Sequence, residues 1–374
     1  MNIVFAIFKY FPDGGLQRDM MRIAEALVRR GDRVTIFCHL WDDDAPVPEG
    51  MTVRKLDVSG WTNHGRAENF IRRFSEELPQ IPHDRFVAFN RMPGADFYFA
   101  ADNPFYSTAV RNVGVWGSKL LPRYRTFIAE ERAVFSPEAK TVILCLTNRQ
   151  RDEYIGIYHT QAERFRLLPP GIPEDRKRPA DAEERRAAKR RELGVGEDEV
   201  LLLQIGSGFR TKGVDRSIAA FASLPEEFRE NARFFAAGRG KDKPLCKLAR
   251  RLGVDDRVTL LGPRDDVPDL LLAADLMVHP ARNEAAGAVL VEALAAGTPV
   301  VCSGNCGFAD YVLESGGIVL PMPFSQHNLN STLLRVLSTP EKLSDMKQNA
   351  IGYGAQTDFY RRADVAAGII RGEA

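Results

Sequence analysis

No stretch of the 374 residues approaches the ~20 consecutive apolar positions that carry a helix across a bilayer, so a membrane-spanning helix is not expected. Charge of one sign is also lacking. Fifty-one basic against fifty acidic side chains leave a formal +1, no global field to attract nucleic acid. Cysteine is sparse, odd in number and scattered (Cys38, Cys145, Cys246, Cys302, Cys306), with four of the five in or beside apolar runs. That usage fits reduced cytosolic thiols rather than a disulfide framework. No Cys-x-x-Cys pair or His–Cys cluster offers a structural zinc site, and none of the six histidines stands in an HxxH or HExxH pattern. The GxGxxG of nicotinamide and flavin folds is missing too. The apolar start, Met1 to Phe8, lacks a basic leader and a small-residue cleavage site and runs straight into a glycine loop. It reads as a first buried strand rather than a signal peptide. The expected location is the cytoplasm, or the cytoplasmic face of a membrane.

What the chain does have is alternation. Strand-like runs at 2–8, 33–40, 51–57, 85–89, 96–100 and 141–146 interleave with helical periodicity at 15–30, 66–78 and 147–158. After a break at Leu167-Leu-Pro-Pro-Gly-Ile-Pro173 comes a run of mixed charges to about 193, read as a solvated connector and helix. A second series follows, with strands at 199–205, 232–237, 257–261, 275–279, 298–302 and 317–320. Its helices are expected at 213–223, 241–252, 265–273, 284–296, 325–337 and 340–353. Such alternation predicts parallel sheets covered by helices on both faces. A chain of this length suits two such domains, 1–169 with 357–374 and 170–356. Ligands are then expected in a cleft at the carboxyl edges of the sheets.

The most informative run is Glu284-Ala285-Ala286-Gly287-Ala288-Val289-Leu-Val-Glu292, preceded by the buried-strand pattern Leu276-Met-Val-His-Pro280. Read as a helix from Glu284, it sets its two carboxylates roughly 12 Å apart along the axis and about 80° around it. Its first turn, Ala285 to Gly287, presents free N–H groups and the positive end of the helix dipole to an anion. A nucleotide-sugar fits that spacing, with hexose at Glu284, diphosphate over residues 285–289 and ribose at Glu292. A surface helix with two unrelated glutamates is the bland alternative.

Other loops suit the same edge. Gly14-Gly15 opens the first helix and leaves N–H groups for an anion, with Asp19 one turn on, able to accept from sugar hydroxyls or to sit as an ordinary first-turn acid. Gly206-Ser-Gly-Phe-Arg210-Thr-Lys212-Gly213 ends a strand and sets two cations before a helix, suited to the charge that grows on a departing diphosphate. Arg176 in the connector is a further candidate cation, and Gly238-Arg239-Gly240 a candidate base-binding turn. Asp42-Asp-Asp44 has a metal-binding spacing but sits in a Pro-rich loop, and no metal or other cofactor is expected. Residues 103–129 hold four basic side chains, five aromatics and no acid. They read either as an anionic-membrane contact or as a buried aromatic subdomain.

The chain resembles lipopolysaccharide core glycosyltransferases of the glucosyltransferase I type, retaining enzymes of family 4 with the GT-B fold. The resemblance rests on the Glu284-x7-Glu292 motif, Tyr10-Phe-Pro-Asp-Gly-Gly-Leu-Gln-Arg-Asp19, Thr62-Asn-His-Gly65, Phe99-Ala-Ala-Asp102, Leu168-Pro-Pro-Gly-Ile172 and Lys212-Gly-Val-Asp-Arg216. It implies two Rossmann-like domains, a carboxyl-terminal helix (358–370) returning to the first, and metal-independent transfer. The hexose would pass from a UDP-sugar to a lipid-linked heptose of the inner core. It also implies Lys212 and Arg210 at the diphosphate, with Asp102 or Asp19 near the acceptor. The protein would be peripheral on the inner membrane's cytoplasmic face, docked through residues 103–129. One departure is visible: Ser207 stands where family members carry arginine. A nucleotide-sugar epimerase or dehydrogenase, a hinged solute-binding protein and a family 4 transferase for another glycolipid are the competing readings.

Overall fold

A computed structural model describes residues 1–12 and 14–373; Asp13 and Ala374 lie outside it. Two compact units emerge, one of Met1–Gly171 with the segment from Arg361 onward, the other of Ile172–Tyr360.

The first unit is built on a seven-stranded parallel sheet. Its strands are β1 (Asn2–Ala6), β2 (Arg33–Cys38), β3 (Met51–Lys55), β4 (Arg85–Ala88), β5 (Phe97–Ala100), β6 (Val142–Cys145) and β7 (Phe165–Leu167), in the order β3-β2-β1-β4-β5-β6-β7. Helices cover both faces, so the central strands carry near-continuous apolar runs; Ile3 to Ala6 is almost wholly buried. One face packs an aromatic layer in which Phe135 and Tyr154 stack with ring centroids 3.7 Å apart. The last helix, Arg362–Arg371, lies along the first, Gly15–Arg29. It starts later than the expected 358, because Phe359 is buried in the core of the second unit.

The second unit holds six parallel strands: β8 (Val200–Ile205), β9 (Ala232–Ala237), β10 (Val258–Gly262), β11 (Leu276–His279), β12 (Val300–Ser303) and β13 (Ile318–Leu320). Their order is β10-β9-β8-β11-β12-β13. From β8 the chain winds outward through β9 and β10, then returns to β11 on β8's other side. That reversal opens a crevice beyond the carboxyl ends of β8 and β11.

Three segments differ from the sequence expectation. The charged stretch before β8 contains the expected helix, Ala182–Glu192, mostly exposed but anchored at one end rather than wholly solvated. There Lys189 and Arg190 are buried, with Lys189 Nζ 2.8 Å from Asp266 and Arg190 Nη1 2.9 Å from Asp275. Residues 103–129, read without secondary structure, lie in two helices, Phe105–Leu120 and Pro122–Phe135. The third difference is at Glu284. Among the described residues, no helix is long and apolar enough to cross a membrane.

Candidate active site

The helix after β11 begins at Ala288, not at Glu284. Gly287 has φ +88°, a left-handed conformation that glycine adopts without steric cost and that cannot continue a right-handed turn. Glu284 instead forms an isolated parallel bridge with Cys306, and Phe308 N donates to Ala286 O at 2.7 Å. Ala285, Ala286 and Gly287 are therefore a loop laid against the turn after β12, not a first helical turn. The 12 Å separation inferred for an unbroken helix no longer applies. The uncapped helix start remains: Gly287 supplies no side-chain cap, so the backbone donors at Ala288 and Val289 stand at the crevice.

Glu284 itself is nearly buried. Its Oε2 lies 2.5 Å from Lys212 Nζ and 3.0 Å from His279 Nε2. Burial raises its pKa, but the His279 hydrogen bond and the Lys212 charge outweigh that and hold the carboxyl at about 2. The Gly206–Gly213 loop that brings Lys212 there is fixed from below. Buried Gln204 donates to Lys212 O at 2.7 Å and accepts from Ser217 Oγ at 2.7 Å. It is tied sideways as well, since Arg282 N donates to Thr211 O and the Arg282 guanidinium makes two 2.7 Å bonds to Asp215. Gly213 has φ +75°, and a Cβ there would stand 2.2 Å from Pro280 O. Only glycine lets the loops after β8 and β11 approach this closely.

At the far end of the Glu284 motif, Glu292 lies 3.6 Å from Arg176 Nε, a buried nitrogen with no hydrogen-bond acceptor in reach. The connector arginine thus joins the second carboxylate. The turn from Gly206 to Gly208 is bonded to Arg239 at this edge: Arg239 N donates to Ser207 Oγ at 3.1 Å, and Gly208 N to Arg239 O at 2.7 Å, while Gly206 N donates to Ala237 O.

Arg210 and Lys212 leave their shared turn in different directions. The single helical turn Phe209–Lys212 sets residues two apart about 200° around its axis. Lys212 reaches Glu284, while Arg210 lines a separate cavity of about 710 Å³ with Lys241, Leu245 and Leu248.

In the first unit, Gly14 is the residue before the first helix and Gly15 its first residue, with no side-chain cap. Asp19 is committed elsewhere. Its Oδ2 lies 2.8 Å from Arg362 Nη1, and Arg362 Nε donates to Pro169 O. That bond fastens the last helix to the first, which argues against Asp19 as an acceptor ligand. Asp102 follows β5 and is exposed, its backbone carbonyl accepting from Gln150 and Tyr154. Asp42 Oδ1 accepts from Asp44 N, and Asp43 pairs with Lys55, the bonding of a surface turn. Arg111, Lys119, Arg123 and Arg125 are all exposed on the 105–135 helices, as are Val115, Trp116, Leu120 and Leu121. The cations and Trp116 are thus at the surface, while Phe105, Tyr106, Tyr124 and Phe127 are half-buried, the Phe105 ring packing against those of Tyr124 and Phe127.

Two residues escaped sequence reasoning. His279 looked like a strand end; a histidine five residues before the motif glutamate, in a fully apolar strand, was its only signal. Glu131 is fully buried and accepts from Phe105 N at 2.6 Å, Tyr106 N at 3.0 Å, Arg91 Nε at 2.8 Å and Tyr158 Oη at 2.5 Å. From its place in the second helix it caps the start of the first, Phe105–Leu120, across 26 positions, a contact that no local pattern encodes.

Residues 185–352 match the model for glycosyl transferases group 1, and residues 13–176 that for Glycosyltransferase Family 4. The lipopolysaccharide glucosyltransferase WaaG of Escherichia coli K12 is 41% identical over 100% of this chain and 99% of its own length. A D-inositol 3-phosphate glycosyltransferase of Xylanimonas cellulosilytica is 34% identical, over 82% of this chain and 79% of its own. Among solved structures, a crystal structure of WaaG superposes with a TM-score of 0.90 at 40% identity, covering 99% of this chain and 100% of that one. Anabaena HepE, solved with UDP and glucose, has a TM-score of 0.75 at 17% identity over the full length of both chains, a likeness of fold.

Proposed function

The chain belongs to the family 4 glycosyltransferases of GT-B fold, and from that premise we propose a retaining hexosyltransferase of lipopolysaccharide core synthesis. It moves a hexose from a UDP-sugar to a heptose of the inner core. The observation that carries this reading is the pair of charge-matched carboxylates, Glu284 with Lys212 and Glu292 with Arg176, on either side of an uncapped helix start. The full-length identity to a lipopolysaccharide glucosyltransferase supports the acceptor class. An epimerase or dehydrogenase is not favoured.

In this reading the diphosphate rests on the backbone donors at Ala288 and Val289, and the Lys212 ammonium stabilises the charge that grows as the glycosidic bond lengthens. Glu284 accepts from the donor's sugar hydroxyls, held ionised and fixed in direction by His279. Glu292 accepts from the ribose, and Arg176 adds positive charge beside it. The leaving phosphate takes the acceptor's proton on the same face, which gives retention without a dedicated protein base; Asp102 is the candidate should one act. Lys212 and the helix end make a divalent cation unnecessary. The exposed cations of the 105–135 helices, with Trp116 and its apolar neighbours Val115, Leu120 and Leu121, hold the enzyme on an anionic, cytoplasmic-facing membrane surface where the lipid-linked acceptor resides.

Calorimetry with UDP and transfer assays on two variants test the assignment. Glu284→Ala should lose transfer and keep most UDP affinity, whereas Glu292→Ala should weaken UDP itself. The reverse pattern would refute it. Transfer that persists in a chelator and gains nothing from Mn²⁺ is the expected outcome for the metal-free mechanism. Purified heptose-truncated glycolipid as acceptor separates this reading from a transferase for a different glycolipid, which the D-inositol 3-phosphate relatives keep in view.

A further inference from the structure

The helix that follows β9 concentrates positive charge. From Lys241 to Arg251 the chain reads Lys241-Asp242-Lys243-Pro-Leu-Cys-Lys247-Leu-Ala-Arg250-Arg251, five cations and one acid in a protein whose formal charge is +1. All five cations are exposed, and the transfer mechanism uses none of them. Arg250 Nε lies 3.6 Å from Asp255 in a surface pair.

A basic run alone is ordinarily a solvated face. This one also walls a cavity. The helix Asp242–Arg251 buries Leu245 and Ala249 in the core of the second unit. Pro244, Leu245 and Leu248, with Phe209 opposite, line a cavity of about 710 Å³, within the ~300–1,000 Å³ range of small-molecule sites. A Cβ at Gly240 would stand 2.2 Å from the Phe209 ring, so glycine there lets the turn after β9 close directly onto that side chain.

The mouth of the cavity is cationic. Arg210 and Lys241 line it and are exposed, while Arg282, which lines it as well, is paired with Asp215 at 2.7 Å. At about 100° per residue, Lys247 and Arg251 stand roughly 60° and 20° around the helix axis from Pro244, beside the face that walls the cavity. An apolar interior with a cationic mouth matches an amphiphile with an anionic head. Nucleic acid is a poorer match, because sites for single strands interleave cations with rings for base stacking, and residues 239–251 contain no aromatic side chain. A small anion would need no apolar room.

We propose that this face of the second unit binds an anionic phospholipid of the bilayer, its phosphate among Arg210, Lys241, Lys247 and Arg251 and one acyl chain in the cavity over Leu245, Leu248 and Phe209. Headgroup attraction and a buried chain are two signals that together make peripheral attachment stable. The site gives the second unit a membrane contact of its own. It requires neither the donor assignment nor docking through the 105–135 helices.

The test uses the full chain with vesicles of phosphatidylcholine, alone or mixed with phosphatidylglycerol. A trace of the phosphatidylglycerol carries a photoactivatable diazirine at the end of its acyl chain. In co-sedimentation, Lys247→Gln/Arg251→Gln should bind the anionic vesicles about 30-fold more weakly than wild type, about fivefold for each cation. Neutral vesicles should not distinguish the two proteins. After illumination and digestion, the label should appear on the peptide that holds Leu245 and Leu248. Leu248→Phe and Leu248→Trp, which fill the cavity to increasing extents, should lose that label in order of size. Wild type and the exposed double variant carry the test should either of these misfold. Undiminished vesicle binding by Lys247→Gln/Arg251→Gln, or a label confined to other peptides, would overturn the proposal. Binding of a short single-stranded RNA by wild type in place of the vesicles would do the same, making the patch a polyanion site. Label on the 105–135 peptides reports separately on the first unit's membrane contact.

Discussion

Glu284 shows how a single residue's environment sets both its charge and its direction. Its carboxyl is held at about 2, below the ~4.3 of an unperturbed glutamate, so the folded state favours the ionised form. The resulting stabilisation is complete above the unfolded value and is lost as pH falls through about 2. At ~1.4 kcal/mol per pKa unit it amounts to roughly 3 kcal/mol. Urea unfolding of wild type and Glu284→Gln between pH 5 and pH 2 should therefore show the wild type losing about that much more stability; parallel curves would contradict it. Asp19 makes the opposite case. A carboxylate read as a sugar ligand is half of a buried pair with Arg362, and removing one partner of such a pair costs roughly 3–5 kcal/mol. Asp19→Ala should accordingly lower the melting temperature sharply, while UDP affinity, which the proposed site assigns to the second unit, stays within error. A stable Asp19→Ala that fails only in acceptor use would return this residue to the acceptor site.

At the scale of elements, the exposed helix pair 105–135 and the glycine-bound loops carry the consequences. Each cation near an anionic surface contributes roughly 1 kcal/mol, so Lys119→Gln with Arg123→Gln should weaken vesicle binding about 30-fold. The loss should be visible at moderate salt and shrink as screening rises. Co-sedimentation with and without anionic lipid measures it, and equal binding to neutral and anionic vesicles would count against docking through this pair. Gly213 bears on the other element. With φ +75° and Pro280 O 2.2 Å from any added Cβ, Gly213→Ala should cost roughly 1–3 kcal/mol. It should also weaken UDP binding, because the displaced loop carries Lys212. Calorimetry and thermal unfolding read the two effects separately; an alanine variant with unchanged UDP affinity would show that the loop tolerates the shift.

For the molecule as a whole, the sequence by itself determined the class of fold, because a parallel sheet buried on both faces requires apolar runs alternating with amphipathic ones, and that requirement is written locally. It likewise determined the neighbourhood of the site, since glycines and cations at strand ends are positional facts. What the tertiary structure decided was which of those residues meet. Ala285 and Ala286 favour a helix by propensity, yet the bridge between Glu284 and Cys306 and the left-handed Gly287 hold them in a loop. Arg210 and Lys212 look equivalent in sequence, but one helical turn sends them to opposite sides. The buried cations Lys189 and Arg190 of the connector helix read as solvated because their acidic partners, Asp266 and Asp275, lie some eighty positions away. Glu131 was unreadable for the same reason, its partners Phe105 and Arg91 lying 26 and 40 positions away. Hydrogen bonds between positions distant in sequence form only after the chain has packed, and no local pattern of residue types specifies them.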